Sequence, residues 1–177
     1  MTLLTSGSIA HSTSKYGFVF ARRGITMESC SSYFLPRLIG HARAMYLVTT
    51  GAVFPPTAPH FGALFAECYP DKDRVVSRAL DIAADIAANV SPLAGALNRA
   101  LLWRGPQAPE DAHLLESGVL YHMFRGKDQT EGVKAFLEKR GAEFSASLDA
   151  DAPATYPWWT EADIDPKPKV VKSGSKL

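Results

Sequence analysis

YGFVFARRGITMESCSSYFLPRLIG, running from Tyr16 to Gly40, is the stretch around which the rest of the chain is arranged. Its apolar opening, Tyr16 to Phe20, predicts a short buried strand. Arg22-Arg23-Gly24 then reads as a basic turn. Glu28 follows as a lone carboxylate, directly ahead of the small side chains Ser29, Cys30, Ser31 and Ser32. Tyr33 to Ile39 reads as an apolar helical piece stopped by Gly40. A strand that delivers one carboxylate to the start of a helix, among small residues that leave room for a ligand, suits proton transfer.

Downstream, Phe34, Leu35, Leu38, Ala42, Met45, Tyr46 and Val48 recur at three- and four-residue spacing, which predicts helix from Ser31 to Thr50 with a break at Gly40. Thr49 to Phe54 reads as strand or turn. Pro55, Pro56 and Pro59 remove donors and disfavour helix beyond it. Ala63 to Tyr69 is expected to be a strand ended by Pro70. Asp71 to Val90 is the clearest amphipathic helix, with Val75, Val76, Ala79, Leu80, Ala83, Ile86, Ala87 and Val90 on one face. Three further helices are expected over Pro92–Arg104, Pro109–Phe124 and Gln129–Phe144. From Ala150 the chain becomes proline- and charge-rich. It is expected to be an extended tail with one aromatic anchor, Tyr156-Pro157-Trp158-Trp159, and a disordered basic end.

Composition narrows the function classes. The chain has 177 residues, enough for one domain with a real core. A formal net charge of +1 gives no reason to expect nucleic acid as a partner. There is no run of 18 apolar residues, so no membrane-spanning helix is expected. Cys30 and Cys68 form no CxxC pattern and read as reduced thiols. The five histidines show no metal-ligand spacing, so no metal is expected. The final tripeptide, Ser175-Lys176-Leu177, is the signal read by the peroxisomal import receptor, so a peroxisomal location is expected.

GFVFARRGI followed by E-x-x-SS-x-FLPRL-x-G resembles the crotonase (enoyl-CoA hydratase/isomerase) superfamily, over about Ile9 to Phe144. The MESCSSYFLPRL portion is similar to the peroxisomal Δ3,Δ2-enoyl-CoA isomerases. The resemblance implies an α-rich α/β fold, the C-terminal part of a crotonase-like β-β-α spiral. Residues 1–90 would be a partial spiral core. Residues 91–148 would be a helical C-terminal region that drives trimer formation, and 149–177 a tail carrying the targeting signal. In full-length members the region before Ile9 supplies the N–H groups that hold the thioester oxygen, and this chain is expected to be truncated there.

The resemblance also assigns roles. Glu28 matches the glutamate that moves the proton in the isomerases. Apolar neighbours at Met27, Tyr33 and Phe34 would disfavour its charged form and suit it to that task. On the residues alone, the favoured reading of Glu28 is an acidic residue that only steadies the first turn of a helix. Phe20 falls where the second glutamate of crotonase-type hydratases lies, which disfavours two-carboxylate hydration. The segment Glu131 to Arg140 resembles the family's E-G-x-x-A-F-x-E-K-R helix, so Phe136 and Lys139 would contact the adenine end of CoA. A plainer reading puts Phe136 in the core and Lys139 in water. Arg22 and Arg23 could meet a CoA phosphate or form a solvated turn. Ser31-Ser32 lack a nucleophile context and read as packing residues.

The expected function is double-bond isomerisation of an unsaturated acyl-CoA. The CoA thioester is the substrate, and no metal or redox cofactor is needed. The alternative is an inactive homologue that acts as an assembly or binding subunit. The expected partners are the import receptor and copies of this chain, as a homotrimer, or full-length relatives.

Overall fold

Phe61, with no exposed surface, is the point on which the first half of the chain packs. The computed structural model describes residues 8–160, and the chain divides between Ala87 and Ala88 into two compact units. The expected targeting tripeptide, Ser175 to Leu177, lies outside the described residues.

In the first unit, β1 (Ser8–His11) pairs in parallel with β4 (Phe65–Tyr69), Ile9 opposite Glu67 and Ala10 opposite Cys68. A second ribbon pairs β2 (Tyr16–Gly17) antiparallel with β3 (Val53–Phe54). Gly17 is required there, because a Cβ would lie 2.8 Å from both the Ala52 carbonyl oxygen and a Val53 methyl. The expected strand over Tyr16–Phe20 is therefore cut to two residues. Phe20 takes helical dihedrals, its carbonyl accepts from the amides of Arg23 and Ile25, and a 3-10 turn forms at Ala21–Arg23. Local turn bonds at Phe20 replace the ladder that an apolar run suggested.

Helices α1 (Ser31–Ile39) and α2 (His41–Thr50) are separated at Gly40, whose φ of 85° an L side chain rarely adopts. Their inward faces supply Leu35, Ile39, Ala44 and Leu47, which bury with Phe61 and Leu64. The proline-rich connection yields only a 3-10 turn at Pro59–Phe61, as loss of N–H donors dictates. Helix α3 (Lys72–Asn89) follows. Its Arg78 guanidinium donates to the Glu67 carboxylate at 3.0 Å. That bond, followed by one from the Tyr69 hydroxyl, holds Glu67 below the usual carboxylate range. The apolar face expected on this helix is present in sequence, yet the helix has no buried residue and Leu80 is 65% exposed.

The second unit contains α4 (Pro92–Arg104), α5 (Pro109–Met123) and α6 (Lys127–Glu138), then a short helix, α7 (Leu148–Asp151). Leu93, Leu97, Val119 and Ala146 bury together, with Leu101, Leu115, Met123 and Tyr156 against them. Helix α6 ends six residues before the expected Phe144. Lys139 enters the left-handed region (φ 55°), and the amides of Lys139 and Arg140 close on the carbonyls of Phe136 and Ala135. The Arg140 guanidinium seals this end on Glu131 and Glu138. With the Glu143 amide, that contact lowers Glu131 to about 2.

The expected extended tail starts later than Ala150. Ser147 caps α7 by accepting from the Ala150 amide at 3.2 Å. Beyond it, Tyr156 and Trp158 pack on the second core, and the Trp158 indole N–H donates to the Arg104 carbonyl.

Asp128, 4% exposed, ties this unit together. One carboxylate oxygen accepts from the Ser91 hydroxyl at 2.6 Å, and Ser91 itself caps α4 through the Ala94 amide. The other accepts from the amides of Ser145 and Ala146 at 2.8 and 2.9 Å. Burial pushes Asp128 up, but these three bonds outweigh it and hold the carboxyl below its ordinary value. A group with a lowered folded value stabilises above its unfolded value, about 3.9, and that stability is lost as pH falls through the folded value. Asp128→Asn should cost about 1–3 kcal/mol at neutral pH, read in a urea titration, and should flatten the acid limb of stability below about pH 4.

Candidate active site

The turn that carries Glu28 is built from strained backbone. Ser29 and Cys30, neither of them glycine, both take positive φ, 54° and 57°, directly before α1. Such residues cost on the order of 1–3 kcal/mol each and persist where surrounding bonds fix them. Ser31 does the fixing. It is buried, and both its amide (3.0 Å) and its hydroxyl (2.6 Å) donate to the Glu28 carbonyl. The Cys30 carbonyl then accepts from the amides of Tyr33 and Phe34, starting the helix. Ser31 is thus more than a packing residue. Its neighbour Glu28 gave the signal that could have shown this, since a hydroxyl three residues after a turn carbonyl is placed to bond back to it.

Glu28 is itself exposed, and it lines a pocket of about 170 Å³. Ser29 and Ser31 share its polar side, and Phe18, Phe20, Leu64 and Phe65 make its apolar walls with Tyr16 and Phe61. These walls differ from the neighbours expected by sequence proximity. Met27 packs on the core instead, and Tyr33 stacks under the Arg37 guanidinium, 3.6 Å from its ring centroid. The aromatic lining arrives from β2, the following loop and the β4 region, which no local reading of Glu28 could place.

Arg22 sits on the exposed 3-10 turn and donates from Nε to the Thr50 carbonyl at 2.6 Å, closing the end of α2. The adjoining Gly51 (φ 56°) leaves room for it, since a Cβ there would lie 2.9 Å from the Arg22 side chain. In the second unit Phe136 is 82% exposed, which removes the reading that placed it in the core. Lys139, one turn on, is exposed at the left-handed end of α6. Among the described residues, no group of three or more His, Cys, Asp or Glu side chains is placed to hold a metal ion. No single helix among them is long and apolar enough to cross a membrane.

The turn with its one carboxylate lines an aromatic pocket on a scaffold of small β ribbons and helices, and comparison with known proteins places that scaffold among the crotonase folds. The sequence profile of the enoyl-CoA hydratase/isomerase family matches residues 1–147, and the chain belongs to that family. It is 45% identical over 148 residues to the enoyl-CoA hydratase AFT3-1 of Alternaria alternata, covering 84% of this chain and 50% of that protein. It is 30% identical over 138 residues to a probable enoyl-CoA hydratase of Mycobacterium bovis, covering 77% of this chain and 53% of that one. Among solved structures it is similar to a probable enoyl-CoA hydratase/isomerase from Mycobacterium abscessus. The TM-score is 0.74 at 28% identity, over 80% of this chain and 56% of the other. The chain spans about half the length of the curated relatives it matches.

Ser31→Ala should lower stability by about 1 kcal/mol through loss of the hydroxyl bond to the Glu28 carbonyl. The shift of a urea unfolding midpoint measures it, and an unchanged midpoint would show that the turn holds without that bond.

Proposed function

We propose that the chain isomerises an unsaturated acyl-CoA, moving a double bond from the 3- to the 2-position with Glu28 as the one acid/base. The observation that carries this reading is the lining of the pocket. Glu28 is the one carboxylate there among the described residues, and it faces aromatic walls. The carboxylate takes a proton from C2. The electron pair spreads onto the thioester oxygen as an enolate, and the same proton returns at C4 as the C2–C3 double bond forms. The enolate needs N–H donors at the thioester oxygen. The family resemblance assigns these to sequence upstream of Ile9.

The relatives named above carry hydratase names, and hydration by two carboxylates would require a second titrating group in the pocket. Phe20, which lines the pocket and which the family resemblance matches to that group, cannot titrate. This favours isomerisation. No metal or redox cofactor enters the proposed chemistry. Phe136 and Lys139, exposed near the end of α6, are proposed to meet the adenine end of CoA, in keeping with their match to the family helix. Ser175-Lys176-Leu177 supports delivery to the peroxisome by its import receptor. There the substrate would be a β-oxidation intermediate or the acyl chain of a secondary metabolite.

A second reading is an assembly subunit, as a homotrimer or with full-length relatives. Its support is the exposed apolar surface of the helical unit, where Leu102, Leu114, Tyr121 and Leu137 lie open with Phe136. Light scattering on the purified protein separates a monomer from these assemblies.

Glu28→Gln should reduce conversion of a 3-enoyl-CoA to the 2-enoyl-CoA by about 10²–10⁴-fold, with the fold and the affinity for CoA unchanged. The conjugated product is followed by its ultraviolet absorbance. A mutant that keeps the wild-type rate removes Glu28 from the mechanism.

A further inference from the structure

We propose that the Glu28 pocket is a short-acyl site, which admits an acyl group of about six carbons. Its limit is set by two aromatic rings that line it, Tyr16 and Phe65, backed by the buried ring of Phe61. The inference rests on Glu28 as the base, because that role places the reacting carbons at the polar side of the pocket.

The volume makes the first part of the case. An apolar cavity of about 150 Å³ holds a benzene ring, six carbons in close contact with its walls. The Glu28 pocket, at about 170 Å³, is of that size. With Glu28 lining this same space, its role as base places carbons 2 to 4 of the acyl group there, and a space of this size leaves room for a few more.

The rings make the second part. Tyr16 and Phe65 have ring centroids 4.7 Å apart, Phe61 and Phe65 5.4 Å, and Tyr16 and Phe61 6.5 Å. Each ring therefore braces the other two, in edge-on or tilted contacts favoured by aromatic quadrupoles. Phe61 is also the fully buried centre of the first core, between Leu35, Leu47 and Leu64. A side chain packed on all sides cannot retreat without opening a void, so a longer acyl chain gains no depth by pushing on it. Phe65, by contrast, is only half-buried, with one side on the pocket. It is the ring whose removal deepens the site at least cost to the core.

The experiment is calorimetric binding of saturated acyl-CoA thioesters of 4, 6, 8, 10 and 12 carbons to the full chain, with free CoA as reference. Affinity should rise about fourfold per added carbon up to about six, the gain for a buried methylene of about 0.8 kcal/mol. It should then level off or fall, leaving the 12-carbon thioester at least tenfold weaker than the early slope extrapolates. Phe65→Ala should move the break to eight carbons or more, and Phe65→Leu serves if the alanine variant does not fold.

Affinity that keeps climbing through 12 carbons overturns the limit. So does a break that stays in place in a folded Phe65 variant. Thioesters that bind no better than free CoA overturn the pocket as an acyl site. A clear break combined with full isomerase activity in Glu28→Gln would leave the short-acyl pocket standing and refute only the proposed base.

Discussion

The first unit depends on burying Phe61. Its ring holds Tyr16 from β2, Phe54 from β3 and Phe65 from β4 in edge-on or tilted contact, while α1 and α2 close over it with Leu35 and Leu47. The strands in this unit are two to five residues long, and ribbons of that size do not hold together alone. Aromatic packing supplies what the short ladders lack. The same ring that consolidates the core also backs Tyr16 and Phe65, which line the Glu28 pocket, so the shape of the candidate site follows from the packing of the interior.

The second unit solves its problem with a polar contact. Leu93, Leu97, Val119 and Ala146 make a small core. Asp128 then joins the start of α4, the first turn of α6 and the chain at Ser145–Ala146. A buried carboxylate is tolerable only when its oxygens are filled, and here three donors fill them. The consequence is specificity of connection, since no apolar residue at that position could hold three chain segments in register.

Much of this was legible in the sequence wherever one local rule ruled. The break at Gly40, the proline block after Phe54 and the helices opening at Pro92 and Pro109 all follow from backbone chemistry, and the structure has them at or within a residue of those positions. The sequence misled where a local bond competed with a pattern. Tyr16–Phe20 has the composition of a strand, but the Phe20 carbonyl is taken by a turn. Gln129–Phe144 has helical spacing, but Arg140 finds two glutamates and the helix stops. The site divides in the same way. The motif marks Glu28, whereas its aromatic walls come from residues up to 37 positions away, which only tertiary packing brings together. The strained pair Ser29–Cys30 was likewise invisible, because nothing in either residue type requires positive φ.

The strap at Tyr156–Trp158 separates two kinds of boundary. Family similarity ends at residue 147, and by that criterion the last thirty residues are an appendage. Physically, residues 148–160 among them are not. Tyr156 and Trp158 cover Leu93 and Leu97 and their neighbours, and the Trp158 indole satisfies a carbonyl at the end of α4. The stretch matched by the family profile thus stops short of the unit of folding. A segment outside the shared pattern has become part of the interior, so changes in it are constrained by the helices it covers.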